Sequence, residues 1–223
     1  MPHTRAVSAD QKNARRTAIL QAAAQLFEQT PYDQILMQQI AGRAGLAKGT
    51  LFLYFESKEH LFLSLTAESL NEWLNDLCAE LRSATPPLMT LVFTRLVERS
   101  LRRLAAPSGQ SLLLRLLGLH PHRLAEKLTS DALTQLNYSL HSSIKTTSTL
   151  MENLLPYLSP GQGEVILRRI IALLIGLPGS VTLTPAEDSA IDEITELAAA
   201  LNLQLYALET LHRRKSTAAT TAN

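Results

Sequence analysis

The sequence predicts an all-α protein: an N-terminal three-helix helix-turn-helix domain followed by a larger C-terminal helical domain. Three observations predict it. Apolar residues recur three and four apart in one segment after another, and neither an alternating strand pattern nor an internal repeat stands out. Residues 37–55 read as two short helices around Gly45. The chain has 223 residues, 46% of them hydrophobic and 18% charged, ample for a buried core.

The elements follow in order. Residues 1–11 are expected to form a flexible arm in which Arg5, with Lys12, Arg15 and Arg16 just beyond, is placed to meet phosphates or simply to be solvated. A first helix is predicted over 13–29, with an apolar stripe of Ile19, Ala23, Leu26 and Phe27, and Thr30 to Asp33 breaks it. In the hairpin that follows, Ile40, Ala41 and Ala44 share one face, and Leu46, Leu51 and Tyr54 can close over it. Ala41 sits at a helix crossing, where a larger side chain would push the pair apart. Gly45 stands where the chain must turn left-handed. Ser57 caps a long helix to about residue 82, with Glu59 in its first turn to suit the helix dipole. Its seam is Leu63, Ala67, Leu70, Leu74, Leu77 and Leu81. Further helices are expected at about 88–104, 110–118, 122–128 and 130–155. The breaks between them fall at Pro107 to Gly109, Gly118 to Pro121 and Pro156 to Gly163. Two closing helices are expected at about 163–177 and 186–214, separated by Gly176 to Ser180, the second opened by Thr184, Pro185 and Glu187. The Ser/Thr/Ala-rich tail from Ser216 is expected to be unstructured.

A helix-turn-helix lays its second helix in the DNA major groove. Lys48, Gly49, Thr50 and Leu53 fall on the outer face of that helix, a small, basic, hydroxyl-bearing surface suited to phosphates and base edges. Tyr54 adds a hydroxyl at its far end. Lys58 opens the next helix, where a cation and unpaired backbone N–H groups can both meet a phosphate. Gln38, on the side away from Ile40 and Ala41, is placed either to read adenine through its amide or to hold the backbone.

Several stretches carry the pattern of a known family: Ala18, Ile19, Leu20, Ala22, Ala23, Leu26 and Phe27; Tyr32 and Asp33; Ile40, Ala41, Ala44, Gly45, Lys48, Gly49, Thr50 and Leu51; Tyr54, Phe55, Ser57, Lys58, Glu59 and Leu61. From about Arg15 to Leu65 the sequence resembles the TetR family of one-component transcriptional regulators. Three positions depart from that pattern. Leu36 and Ala47 replace the Ser or Thr that would cap the two hairpin helices, and Phe52 replaces a frequent Tyr. A missing cap costs about 0.5–2 kcal/mol.

The resemblance implies residues 1–56 as the DNA-binding domain and 57–223 as the effector-binding and dimerisation domain. It implies a ligand-responsive regulator, in the usual case a repressor, that binds a palindromic DNA operator as a homodimer and is released by a small-molecule effector. The rival reading is a helix-turn-helix-derived binding module that acts through protein contacts or ligand sequestration.

The last helix is apolar on two flanks, one through Ile191, Ile194, Ala198, Leu201, Leu205 and Leu208, the other through Leu197, Ala200, Ala207 and Leu211. Such a helix needs two partners, and TetR-like proteins pair their two closing helices with symmetry mates. The expected dimer interface is therefore Ile170, Leu174, Ile194, Leu201, Leu205 and Leu208. Trp73, Phe93, Leu113, Leu117, Tyr138 and Met151 are candidate walls of an effector pocket, though residues of this kind are more often plain core. The sparse charge of these helices suits an apolar or amphipathic effector.

Other chemistry lacks support. Net charge is +1, although residues 1–60 hold seven Lys/Arg against five Asp/Glu. His120 and His122 have no third ligand at helical spacing, so no metal is expected. Gly161-Gln162-Gly163 lacks the length and lysine of a phosphate loop. No cofactor signature or catalytic elbow is present, and no enzyme activity is expected. Cys78 is the only cysteine, which argues against a disulfide framework and for a cytoplasmic setting. The N-terminus lacks a signal-peptide core, and the longest apolar run, Ile170 to Leu177, is too short for a membrane helix.

Overall fold

The computed structural model describes residues 3–104, 112–180 and 193–221. Among them are ten α-helices and one 3₁₀ turn, and no strand. They gather into two compact units, 1–68 with 119–136, and 69–118 with 137–223.

The first unit holds α1 (His3–Gln29), the 3₁₀ turn Tyr32–Gln34, α2 (Met37–Arg43), α3 (Lys48–Phe52), the opening of α4 (Lys58–Arg82), α7 (Pro121–Ala125) and the opening of α8 (Ser130–Leu154). Helix α1 starts ten residues before the expected Asn13, so the stretch read as an arm is largely helix. The physical reason is composition: no glycine or proline interrupts residues 3–29. Ile19, Leu20, Ala23, Phe27, Ile35, Ile40, Ala41, Leu51, Phe55, Leu61 and Phe62 are buried in this unit. Phe62 is its aromatic centre. The rings of Phe27 and Tyr32 meet it edge-on at 5.3 and 4.9 Å.

The second unit is built from the rest of α4 and α8 with α5 (Thr90–Leu104), α6 (Leu112–Leu117), α9 (Gln162–Ser180) and α10 (Glu193–Thr221). Leu70, Leu74, Leu77 and Leu81 of the α4 seam enter its core beside Trp73, Phe93, Leu113, Met151, Ile170, Leu201 and Leu205. Helix α10 packs against α5 and α9. The turn into α9 is tied by Glu152, whose carboxylate accepts the N–H groups of Gly161 and Gly163 at 2.8 and 2.9 Å.

Two further boundaries differ from expectation. Helix α9 runs through Pro178 to Ser180; a proline removes one donor and crowds the preceding turn but does not oblige a helix to stop. Helix α10 continues through the predicted unstructured tail to Thr221, where Ala218 and Ala219 favour helix and Thr217 Oγ1 bonds back to the Arg213 carbonyl at 3.0 Å. The expected break at Pro107 to Gly109 and the expected helix start at Thr184 and Pro185 lie outside the described residues, as does Ile191.

Candidate nucleic-acid interface

Helix α2 ends as its glycine requires. Gly45 has φ +69°, the Leu46 N–H reaches the Ala41 carbonyl at 2.9 Å, and the Gly45 N–H reaches Gly42 at 3.2 Å. These two bonds form a Schellman motif, in which a left-handed residue lets the chain reverse while pairing the last helical carbonyls. The start of α2 is solved differently from the usual cap. Leu36 has no side-chain acceptor, but Gln39 Oε1 accepts the Leu36 N–H at 2.8 Å. That is one half of a capping box. The other half is absent because a leucine cannot accept a hydrogen bond. Ala47 likewise offers no side-chain cap to α3.

The two helices are braced from behind. Ile40, Ala41, Leu51 and Phe55 are at most 1% exposed. Arg43 Nε donates to Gln25 Oε1 at 2.9 Å, fastening α2 to α1. Arg16 bonds Glu68 at 2.6 Å and lies 5.1 Å from the centre of the Phe55 ring. Lys58, expected as a phosphate contact, is half-buried and turned toward the chain. Its ammonium donates to the carbonyls of Tyr32 and Ile35 at 3.0 and 3.1 Å and sits 4.2 Å over the Tyr32 ring. The charge therefore holds the segment between α1 and α2. Ser57 caps α4 as expected, its Oγ accepting the His60 N–H at 3.0 Å.

With the core and braces removed, an outward surface remains. Gln38, Lys48, Gly49 and Leu53 are exposed, while Thr50 and Tyr54 are half-buried. Leu53 is 81% exposed and its neighbour Phe52 42%. A Cβ added to Gly49 would meet nothing within 4 Å. Neither a left-handed turn nor close packing within the chain requires glycine there.

Residues far along the sequence also join this unit, which local pattern could not reveal. Glu59 Oε1 accepts from Lys127 at 2.9 Å, and Glu56 accepts from the Thr129 hydroxyl at 3.2 Å. Burial alone would raise the Glu59 pKa, but the Lys127 ammonium pulls it below the usual carboxylate value. Burial lowers the His60 pKa, Glu56 acting against it and Arg16 with it. Tyr32 is pushed up to about 12, chiefly by burial and then by Glu59 and Asp33.

In the second unit, Trp73, Phe93, Leu113, Leu117 and Met151 share one buried cluster, and Trp73 Nε1 donates to Ser100 Oγ at 2.9 Å. Tyr138, the remaining candidate pocket wall, is 82% exposed. The inner stripe of α8 runs through Ile144, Thr147, Ser148 and Met151, and Tyr138 lies about 120° around the helix from Ile144. Of the six expected interface residues, four are buried within the chain. Ile170, Leu174, Leu201 and Leu205 are at most 3% exposed and lie in the chain's own core, with Ile194 and Leu208 half-buried beside them. The apolar surface these helices leave outward is Val165, Leu173, Leu203, Tyr206 and Leu211. Cys78 is buried, its sulfur 3.1 Å from the Thr147 hydroxyl. The rings of His120 and His122 stand 5.8 Å apart, and among the described residues no three metal-ligating side chains converge. Among the same residues no helix is long and apolar enough to cross a membrane.

Residues 19–65 match the family model for bacterial regulatory proteins of the tetR family, and residues 67–211 match a tetracyclin repressor-like C-terminal domain. The chain is 39% identical over 67 residues to the HTH-type transcriptional regulator RutR of Escherichia coli, covering 30% of this chain and 32% of that protein. It is 34% identical over 64 residues to the fatty acid metabolism regulator protein of Bacillus subtilis, covering 29% and 33%. It thus spans about a third of the length of these curated relatives. The crystal structure of a TetR transcriptional regulator from Rhodococcus sp. RHA1 superposes with a TM-score of 0.60 at 19% identity, covering 88% of this chain and 97% of that one. At that identity the likeness is one of fold.

Proposed function

The chain belongs to the tetR family of bacterial regulatory proteins, and we propose that it is an effector-responsive transcriptional repressor that binds a palindromic operator as a cytoplasmic homodimer. The observation that carries the reading is the braced helix-turn-helix, whose outward side is left to Gln38, Lys48, Gly49, Thr50, Leu53 and Tyr54. Its buried side is fixed by Ile40, Ala41, Leu51 and Phe55. Lys48 supplies a cation for the phosphate backbone, and Gln38 an amide for a base edge. Residues 1–56 serve DNA, and residues 57–223 serve the effector and dimerisation. No catalytic role is proposed.

The effector is a small apolar or amphipathic molecule, a reading supported by the cluster of Trp73, Phe93, Leu113, Leu117 and Met151 and by a relative named for fatty acid metabolism. It acts by population shift, favouring a recognition-helix spacing that no longer fits the operator. The dimer forms through the outward side of α9 and α10.

Selection of bound duplexes from a random pool tests the proposal. A regulator enriches an inverted repeat, and the enriched duplex also shifts in a gel with purified protein. The bare hydrocarbon caps Leu36 and Ala47 favour the second reading, a binding module without an operator. That reading holds if the folded protein retains no duplex above background at low salt.

A further inference from the structure

The outward side of α3 has a chemistry of its own. Gly49 and Leu53 stand one turn apart, and Leu53 keeps helical dihedrals at φ −73° and ψ −17°, so the two positions share a side of the helix. One position has no side chain, in open space; the other carries a leucine that is 81% exposed. The neighbouring side carries Lys48 and Phe52. Residues 48–53 contain no arginine, asparagine or glutamine, and Lys48, the one residue there able to pair with guanine O6 and N7, lies off the side that Gly49 and Leu53 share. Two nearby groups of that kind are already engaged, Gln39 with the Leu36 N–H and Arg43 with Gln25. What α3 offers a base edge is chiefly a hydrocarbon knob beside a notch. In the major groove, one base-pair feature is hydrocarbon: the C5-methyl group of thymine.

We propose that Leu53 is a specificity-determining residue that reads a thymine methyl in each operator half-site, the missing side chain at Gly49 giving α3 the approach it needs. The proposal rests on the operator-binding reading above. Lys48 on the same helix supplies an exposed positive charge complementary to the phosphate backbone. Discrimination is then against cytosine and against any thymine stripped of its methyl, with no hydrogen bond at stake.

The test replaces single thymines of the selected operator by deoxyuridine, which removes the methyl and keeps every Watson–Crick and groove hydrogen-bonding group. Wild-type protein is expected to lose affinity about fourfold for one half-site, the ratio that burial of one CH2-sized group corresponds to. Changing the symmetric pair should cost on the order of fifteenfold, since distant sites add. Leu53→Ala, a change at an exposed position outside the core, is expected to bind thymine and deoxyuridine operators alike. Restoration of discrimination by Leu53→Met would support an apolar contact at that position. If bound duplexes show no deoxyuridine-sensitive position, or if Leu53→Ala keeps the same sensitivity, the proposal is overturned while operator binding stands. If no duplex is retained at all, the operator reading falls and this one with it.

Discussion

The Lys58 ammonium lies 3.0 Å from the Tyr32 carbonyl oxygen and 4.2 Å above the centre of the Tyr32 ring. One cation therefore ties the start of α4 to the segment leading into α2, using a carbonyl and a π-face that carry complementary negative potential. The second carbonyl, of Ile35, lies one residue before the N-cap of α2. A residue that resembles a phosphate contact by position thus also braces the helix-turn-helix.

Lys58→Met is expected to lower stability by about 1–2 kcal/mol, since it leaves two carbonyls without a charged donor. The slope of log affinity against log salt is expected to stay at the wild-type value, because no phosphate loses its cation. Urea unfolding and operator titrations at several salt concentrations check both halves. A slope reduced by about one per subunit would return Lys58 to the phosphate contacts.

Two glycines are expected to respond oppositely to a methyl group. Gly49→Ala meets open space in the fold and should leave stability unchanged or raised by up to about 1 kcal/mol, while operator binding weakens. Gly163→Ala places Cβ 2.6 Å from the Ser148 carbonyl oxygen and 3.0 Å from Glu152. It should destabilise by about 1–3 kcal/mol through a forced backbone shift. Thermal unfolding of the two variants side by side is the measurement.

His60 should give stability an acid-side slope. Burial lowers its folded pKa below the ordinary histidine value of 6.5. Below that unfolded value the unfolded chain binds the extra proton, so its contribution is present above pH 6.5 and fades as pH falls toward the folded pKa. His60→Gln is expected to flatten the slope below pH 6.5 that wild type shows in urea unfolding. An unchanged slope would assign it to other groups.

Charge on the outward side of α10 should separate subunits without unfolding them. Leu203→Asp and Tyr206→Asp replace side chains that are 72% and 63% exposed, so the helical circular dichroism should persist while sedimentation reports a monomer. Leu205→Ala, fully buried in the core, should instead cost about 2–5 kcal/mol. If both aspartate variants sediment at the wild-type size, the dimer forms elsewhere.

The sequence by itself determined what depends on neighbours within a turn or two. Gly45 as the left-handed end of α2, Ser57 as the cap of α4 and the seam from Leu63 to Leu81 all follow from local geometry and period, and the structure has each of them. The Gln39 bond to Leu36 was equally local, at three residues' separation, but a leucine at the cap position conceals a motif sought by its Ser or Thr. Tertiary structure alone decided the rest. Lys58 turns inward because Tyr32 and Ile35, 26 and 23 residues earlier, fold beneath it. Glu59 and Glu56 find Lys127 and Thr129 across 68 and 73 residues. Helix α10 is apolar on two flanks, and periodicity cannot say how they divide between core and surface. Packing against α5 and α9 buried Leu197 of one flank with Leu201 and Leu205 of the other, and left outside Leu211 together with Leu203 and Tyr206, which belong to neither flank, because burial belongs to the partners a side chain meets and not to the side chain itself.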